Sequence, residues 1–142
     1  MAGANLDLSS VWLFSECSRA ELKTIQKRAM PTSVSSGTVI CDEGSVGQTF
    51  YFILSGKANV LRSGRKQAEL GPGGYFGELA LLDRLPRSAT VQAATDMELL
   101  AIDQKDFNQL MKDSPSTVRK LLVATASRLR SADTKAIEAA VH

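Results

Sequence analysis

The sequence predicts a mainly β domain with helices at both ends, and three observations carry that prediction. Residues 32–103 hold short runs rich in Val, Ile, Phe, Tyr and Thr, cut at close intervals by Gly turns, the pattern of a small barrel or sandwich. Residues 1–31 carry a helix-start signal followed by apolar residues at helical spacing. Residues 104–142 carry two more start signals and, after Pro115, neither Gly nor Pro. A chain of 142 residues fits one domain, 1–142, and can bury a core without disulfide or metal staples.

The elements follow in order. Ser18 and Glu21 form a capping box, Leu22, Ile25 and Ala29 repeat at helical spacing, and Pro31 ends that helix. Trp12, Leu13 and Phe14 precede it as an apolar cluster expected to dock on the rest. Thr38–Cys41 reads as a short strand, turned at Asp42-Glu43-Gly44. Thr49–Leu54 reads as a near-continuous buried strand, turned at Ser55-Gly56 and paired back by Ala58–Leu61. Gly64 marks another turn before Gln67–Leu70, and Thr90–Ala93 and Met97–Ile102 are the last strands. Gly77–Leu82 breaks the pattern with helix formers inside the β block. Asp103 is placed to cap a helix carrying Phe107, Leu110 and Met111, and Ser114-Pro115 starts a final helix with Pro at its first position.

Composition excludes several functions. The net charge of +2 gives no general field for nucleic acid or an anionic membrane. The single histidine is His142, so histidine-based metal sites and Ser-His or Cys-His catalysis lack their residues. Cys17 and Cys41 form no CxxC, and they read as free thiols in a reducing compartment, acting as small hydrophobes. The N-terminus has no basic stretch followed by an apolar core, and no apolar run approaches the ~18 residues of a membrane span. The expected setting is cytoplasmic.

The informative segment is residues 71–93, GPGGYFGELALLDRLPRSATVQA. Gly77 opens a short helical turn whose free N–H groups suit an anion. Glu78, in that turn, is an acceptor suited to hydroxyls. Nine positions on, Arg87 offers a planar fork of donors suited to phosphate. Ser88 adds a hydroxyl, and Ala89 leaves room at the backbone. A carboxylate for a diol beside an arginine for an anion fits a sugar phosphate or a nucleotide. Gly71, Gly73 and Gly74 read as turn glycines, and Phe50, Tyr51 and Phe52 as core or strand surface.

FGELALLDRLPRSATVQA closely resembles the phosphate-binding cassette of cyclic-nucleotide-binding domains, and GTVICDEGSVGQTFYFILSGKANV resembles the leading strands of that family. The resemblance covers most of the chain and rests on many agreeing positions. It implies an eight-stranded β jelly-roll (a double-stranded β-helix) over 32–103, with the cassette at 71–93 and a short helix inside it, an N-terminal helical segment at 1–31 and C-terminal helices at 104–142. It implies that Glu78 accepts the ribose 2′-hydroxyl and that Arg87 pairs with the exocyclic phosphate. Gly77, Leu79 and Ala80 would turn backbone N–H groups towards phosphate and ribose, and Ser88 and Ala89 would line the same pocket. The ligand would be cAMP or cGMP, with no further cofactor. Ser88 leaves both purines open. Bacterial cyclic-nucleotide-gated potassium channels look similar here, and their last helix stacks an arginine on adenine at the place of Arg128, which leans the reading to cAMP.

The last helix carries Val118, Leu122, Thr125, Leu129, Ala132, Ala136 and Ala139 on a 4-3 spacing. Two readings stand: a homodimer seam, or one face packing on the barrel. The expected role is a non-catalytic sensor read by an unseen effector domain or protein. A cGMP-preferring sensor and a degenerate module without ligand are the alternatives. A cupin-like metalloenzyme lacks its histidines, and a transcription factor would need a helix-turn-helix after the last helix, so no direct nucleic-acid contact and no membrane contact of its own is expected.

Overall fold

The computed structural model describes the backbone of residues 12–77, 81 and 84–141, and side chains there except at Trp12, Arg128 and 131–141. A single 3₁₀ turn, Trp12–Phe14, leads into the first helix, Arg19–Arg28. Eight strands follow: β1 (Met30–Val34), β2 (Val39–Cys41), β3 (Thr49–Ser55), β4 (Ala58–Arg62), β5 (Arg65–Leu70), β6 (Tyr75–Phe76), β7 (Thr90–Ala93) and β8 (Met97–Asp103). A bridging helix, Gln104–Asp113, and a last helix, Pro115–Val141, complete the described chain.

The strands form two four-stranded antiparallel sheets, ordered β1-β8-β3-β6 and β2-β7-β4-β5. Alternation sorts their side chains. Ile53, Phe76, Met97 and Leu99 from the first sheet meet Cys41, Ala58, Val91 and Ala93 from the second, closing the interior of the roll. The opposite face of the first sheet carries Phe50, Phe52, Leu54, Tyr75, Leu100 and Ile102 into a second core with Leu13, Phe14, Ile25, Phe107, Leu110 and Leu121. The first sheet is therefore a middle layer, buried on both faces. That is why Thr49–Leu54 reads as one continuous apolar run. Phe50 meets Phe107 edge-on with ring centroids 5.5 Å apart, and Phe52 meets Phe14 at 5.5 Å. Leu13 and Phe14 dock as expected.

Two strands escape the sequence reading. In β1, Pro31 does not merely end the first helix. It stands in the edge of the middle sheet opposite Leu100, where a missing N–H can be tolerated. The two-residue β6 is too short for any periodicity.

The caps of the first and bridging helices form as the sequence predicts. Ser18 Oγ accepts from the Glu21 N–H at 3.1 Å, and Glu21 Oε1 accepts from the Ser18 N–H at 3.0 Å. Asp103 accepts from the Asp106 N–H at 2.8 Å. Pro115 is the first residue of the last helix. The Ser114 hydroxyl does not aim at a backbone donor but shares a hydrogen bond with the Thr117 hydroxyl at 2.8 Å.

The last helix is held at its base. Ser114, Thr117 and Leu121 are buried. Cys17 is more than a small hydrophobe: its Sγ lies 3.2 Å from Thr117 Oγ1 and 3.4 Å from Ser114 Oγ. Glu16 bridges Arg119 at 2.8 Å and Lys120 at 3.0 Å. The stripe that packs is thus Ser114, Thr117 and Leu121, one position off the 4-3 stripe predicted from Val118. Leu122 and Leu129 of the predicted stripe are 65% and 62% exposed, so the barrel does not cover that face.

The Ser18 backbone N–H, as the largest influence, holds the Glu21 carboxyl below the usual carboxylate range, against a smaller opposing effect of burial. A depressed folded pKa gives stability that is present above the unfolded value and lost as pH falls through the folded one. Thermal unfolding should therefore show a midpoint that drops between about pH 5 and 3, and Glu21→Gln should flatten part of that drop. Equal slopes for the two proteins would show that the capping box does not carry it.

Candidate functional site

The site is assembled around one buried cation. Arg87 is 8% exposed, although it stands in a loop between the short β6 and β7. Its main chain is tied on both sides to the turn after β2: the Arg87 N–H donates to Ser45 O at 2.8 Å, and the Gly44 N–H donates to Arg87 O at 2.8 Å. Its guanidinium runs back towards the start of β3. Nη2 donates to Thr49 O at 2.8 Å and Nη1 donates to Gly77 O at 3.1 Å. Among the described residues no carboxylate lies within ion-pair distance of it.

Local backbone chemistry explains why the chain reaches this arrangement. Ile53 and the 71–74 turn exchange backbone bonds, Gly73 N–H to Ile53 O at 2.9 Å and Ile53 N–H to Gly74 O at 2.8 Å, which brings the cassette alongside β3. Gly77 has φ +91, a conformation that only glycine adopts without strain, and so turns its carbonyl towards Arg87. The turn expected after it falls on residues 78–80, outside the described residues. Leu81 is buried in the outer core, and its carbonyl accepts from Gln104 Nε2 at 3.2 Å, which fastens the cassette to the bridging helix.

The other predicted residues fall as follows. Ala89 is half-buried and Ser88 exposed, with the Ser88 carbonyl accepting from Arg62 Nε at 3.2 Å. Glu78, Leu79 and Ala80 lie outside the described residues. The backbone of Arg128 lies in the last helix, and its side chain is outside the described residues. The structure thus brings Gly77 to Arg87 and shows Ala89 two positions along the same strand entry.

Sequence reasoning passed over three contributors. Thr49 supplies a carbonyl, which no side-chain pattern announces. The Gly44–Gly47 loop supplies the seat for Arg87, and its paired glycines were the available signal. Tyr51 is half-buried on the inner face of β3 and stacks on Phe76 with ring centroids 5.1 Å apart. Burial pushes its phenol up, and the nearby charge of Arg87 draws it back by less. Among the described residues no group of three His, Cys, Asp or Glu side chains could hold a metal ion, and no described helix is long and apolar enough to cross a membrane.

A jelly-roll of two antiparallel sheets, helices on one face and an arginine-centred cassette after β6 define a recognisable class of domain. The chain belongs to the cyclic nucleotide-binding domain family, whose model matches residues 31–114. It is 40% identical over 116 residues to a cyclic nucleotide-gated potassium channel of Rhizobium etli, covering 80% of this chain and 32% of the channel. The catabolite activator protein of Thermus thermophilus superposes with a TM-score of 0.81 at 35% identity, over 87% of this chain and 60% of that one. The regulatory domain of Toxoplasma gondii PKA, in a structure with cAMP, superposes with a TM-score of 0.68 at 30% identity, over 80% and 45%. The chain spans about a third of the length of the channel.

Proposed function

We propose that the chain is a non-catalytic sensor of a 3′,5′-cyclic nucleotide, cAMP in the first place, that works in the cytoplasm and reports to an effector domain or protein. The observation that carries the reading is Arg87. Desolvating a guanidinium costs several kcal/mol, and hydrogen bonds from a charged donor to neutral carbonyls return roughly 1.5–3 kcal/mol each. Among the described residues the acceptors that hold this buried arginine are neutral and bring no counter-charge, which a phosphate would supply. Of the five N–H donors of a guanidinium, the two carbonyls of Thr49 and Gly77 take one each, which leaves donors to present to an anion.

In this reading Arg87 grips the cyclic phosphate, Glu78 accepts the ribose 2′-hydroxyl, and Gly77, Leu79 and Ala80 offer backbone donors. Ser88 and Ala89 line the rim. The likeness to a PKA regulatory domain solved with cAMP supports adenine over guanine. The last helix is the moving part. Among the described residues its base is seated by Ser114, Thr117, Leu121, the Cys17 contacts and the Glu16 bridges, while Leu122, Val123 and Leu129 are exposed. Such a helix has apolar surface to gain by closing over a purine, with Arg128 stacking on the ring. A ligand biases that closure by about 1.4 kcal/mol for each tenfold preference for the closed state.

Calorimetry with cAMP and cGMP tests the reading directly, and tight binding of neither would defeat it. Arg87→Ala should weaken cAMP binding by roughly 2–5 kcal/mol, with Arg87→Lys recovering only part because the fork is lost. A variant that binds within threefold of wild type would remove Arg87 from the site.

The unaltered protein should bind 2′-deoxy-cAMP more weakly than cAMP by roughly 1.5–3 kcal/mol, the worth of a charge-assisted bond. Equal affinities would leave Glu78 with no part in ribose recognition.

Hydrogen exchange should show protection gained across residues 116–135 on saturation with cAMP, and Arg128→Ala should speed dissociation, with an affinity loss of about 0.5–2 kcal/mol. Unchanged exchange together with an unchanged off-rate would make the last helix a static prop.

A further inference from the structure

Two glycines bracket the loop that seats Arg87, and they are glycines for different reasons. Gly44 has φ +83 and open space where a Cβ would stand, so its backbone conformation alone accounts for it. Gly47 has an ordinary backbone that any residue could adopt. A Cβ there would run into the Nε, Cζ and Cδ atoms of Arg87, and these three are its nearest neighbours. The Arg87 side chain thus runs close against Gly47, and its Nη1 would stand 2.6 Å from a Cβ at Gly77. The arginine therefore occupies a slot walled by two glycines, with the Thr49 and Gly77 carbonyls fixing its end.

We infer that Gly47 is a positioning residue for Arg87: its missing side chain sets where the guanidinium lies, and with it the affinity for the anion. The loop cannot yield without consequence. Gly44 and Ser45 are bonded to the main chain of Arg87, and Thr49, which holds the guanidinium, lies two residues beyond Gly47. If an alanine pushes the side chain, both carbonyl bonds break. If it pushes the loop, the Thr49 acceptor moves. Either route takes the fork out of register while leaving both cores untouched. The affinity part of this inference rests on the cyclic-nucleotide reading. The placement of the guanidinium does not.

The test compares wild type, Gly47→Ala, Arg87→Ala and the double variant, using calorimetry with cAMP, thermal unfolding, and the Arg87 Nε–H resonance in the nucleotide-free protein. A misplacement of about an ångström should weaken cAMP binding about 10- to 100-fold in Gly47→Ala. It should also move or broaden the Nε–H signal. In the Arg87→Ala background the same substitution should change affinity less than about twofold, because no guanidinium remains to displace. If Gly47→Ala unfolds the protein, adding Arg87→Ala should restore folding by removing the collision. An unmoved Nε–H signal, an equal affinity loss in both backgrounds, or an unfolded double variant overturns the inference. Wild type that binds neither cAMP nor cGMP would overturn the cyclic-nucleotide reading, while the Nε–H comparison would still decide whether Gly47 positions Arg87.

Discussion

The burial of a guanidinium among neutral carbonyls constrains everything near it. Arg87 reaches Thr49 at the start of β3, Gly77 at the end of β6, and, through its own main chain, the turn after β2. Three separate stretches of chain must close on one side chain. Each is short of alternatives: Gly77 needs a positive φ, Gly47 needs to lack a Cβ, and the Gly44–Ser45 backbone is already committed. Among the described residues no carboxylate compensates this charge, which is the basis for proposing that an anion completes the site.

The same arrangement connects the site to the helices. β3 offers Thr49 and Tyr51 to the cassette and presents Phe50 and Phe52 on its other face to Phe107 and Phe14. Leu81, inside the cassette, is packed in that outer core and bonded to Gln104 of the bridging helix. The bridging helix passes directly into the last helix at Ser114, where Cys17 and Glu16 of the N-terminal segment also converge. Leu81 and Gln104 thus tie the cassette to the bridging helix, which leads into the base of the last helix.

Much of this was legible in the amino-acid order. The strands whose alternate residues serve two buried faces announce themselves as apolar runs, and the caps at Ser18 and Asp103 are written in side chains. β1 was hidden because an edge strand with one polar face, Met30-Pro31-Thr32-Ser33-Val34, carries little apolar signal and contains a proline. The cassette arginine was visible through its motif. Its acceptors were not, since a carbonyl at Thr49 or Gly77 leaves no trace in residue type. Spacing alone does not say which of two adjacent stripes of the last helix the domain covers, and of the two readings of the Val118 stripe only the packing one is decided by the structure. The domain covers Thr117 and Leu121 and leaves Leu122 exposed.

The central claim is that Arg87 is the seat of the ligand's charge. A crystal structure of the chain with cAMP bound tests it most directly. Phosphate oxygens are expected at about 2.7–2.9 Å from guanidinium nitrogens of Arg87, with the side chain still lying in the slot between Gly47 and Gly77. A nucleotide bound with its phosphate elsewhere, and Arg87 still engaged only with Thr49 and Gly77, would contradict it.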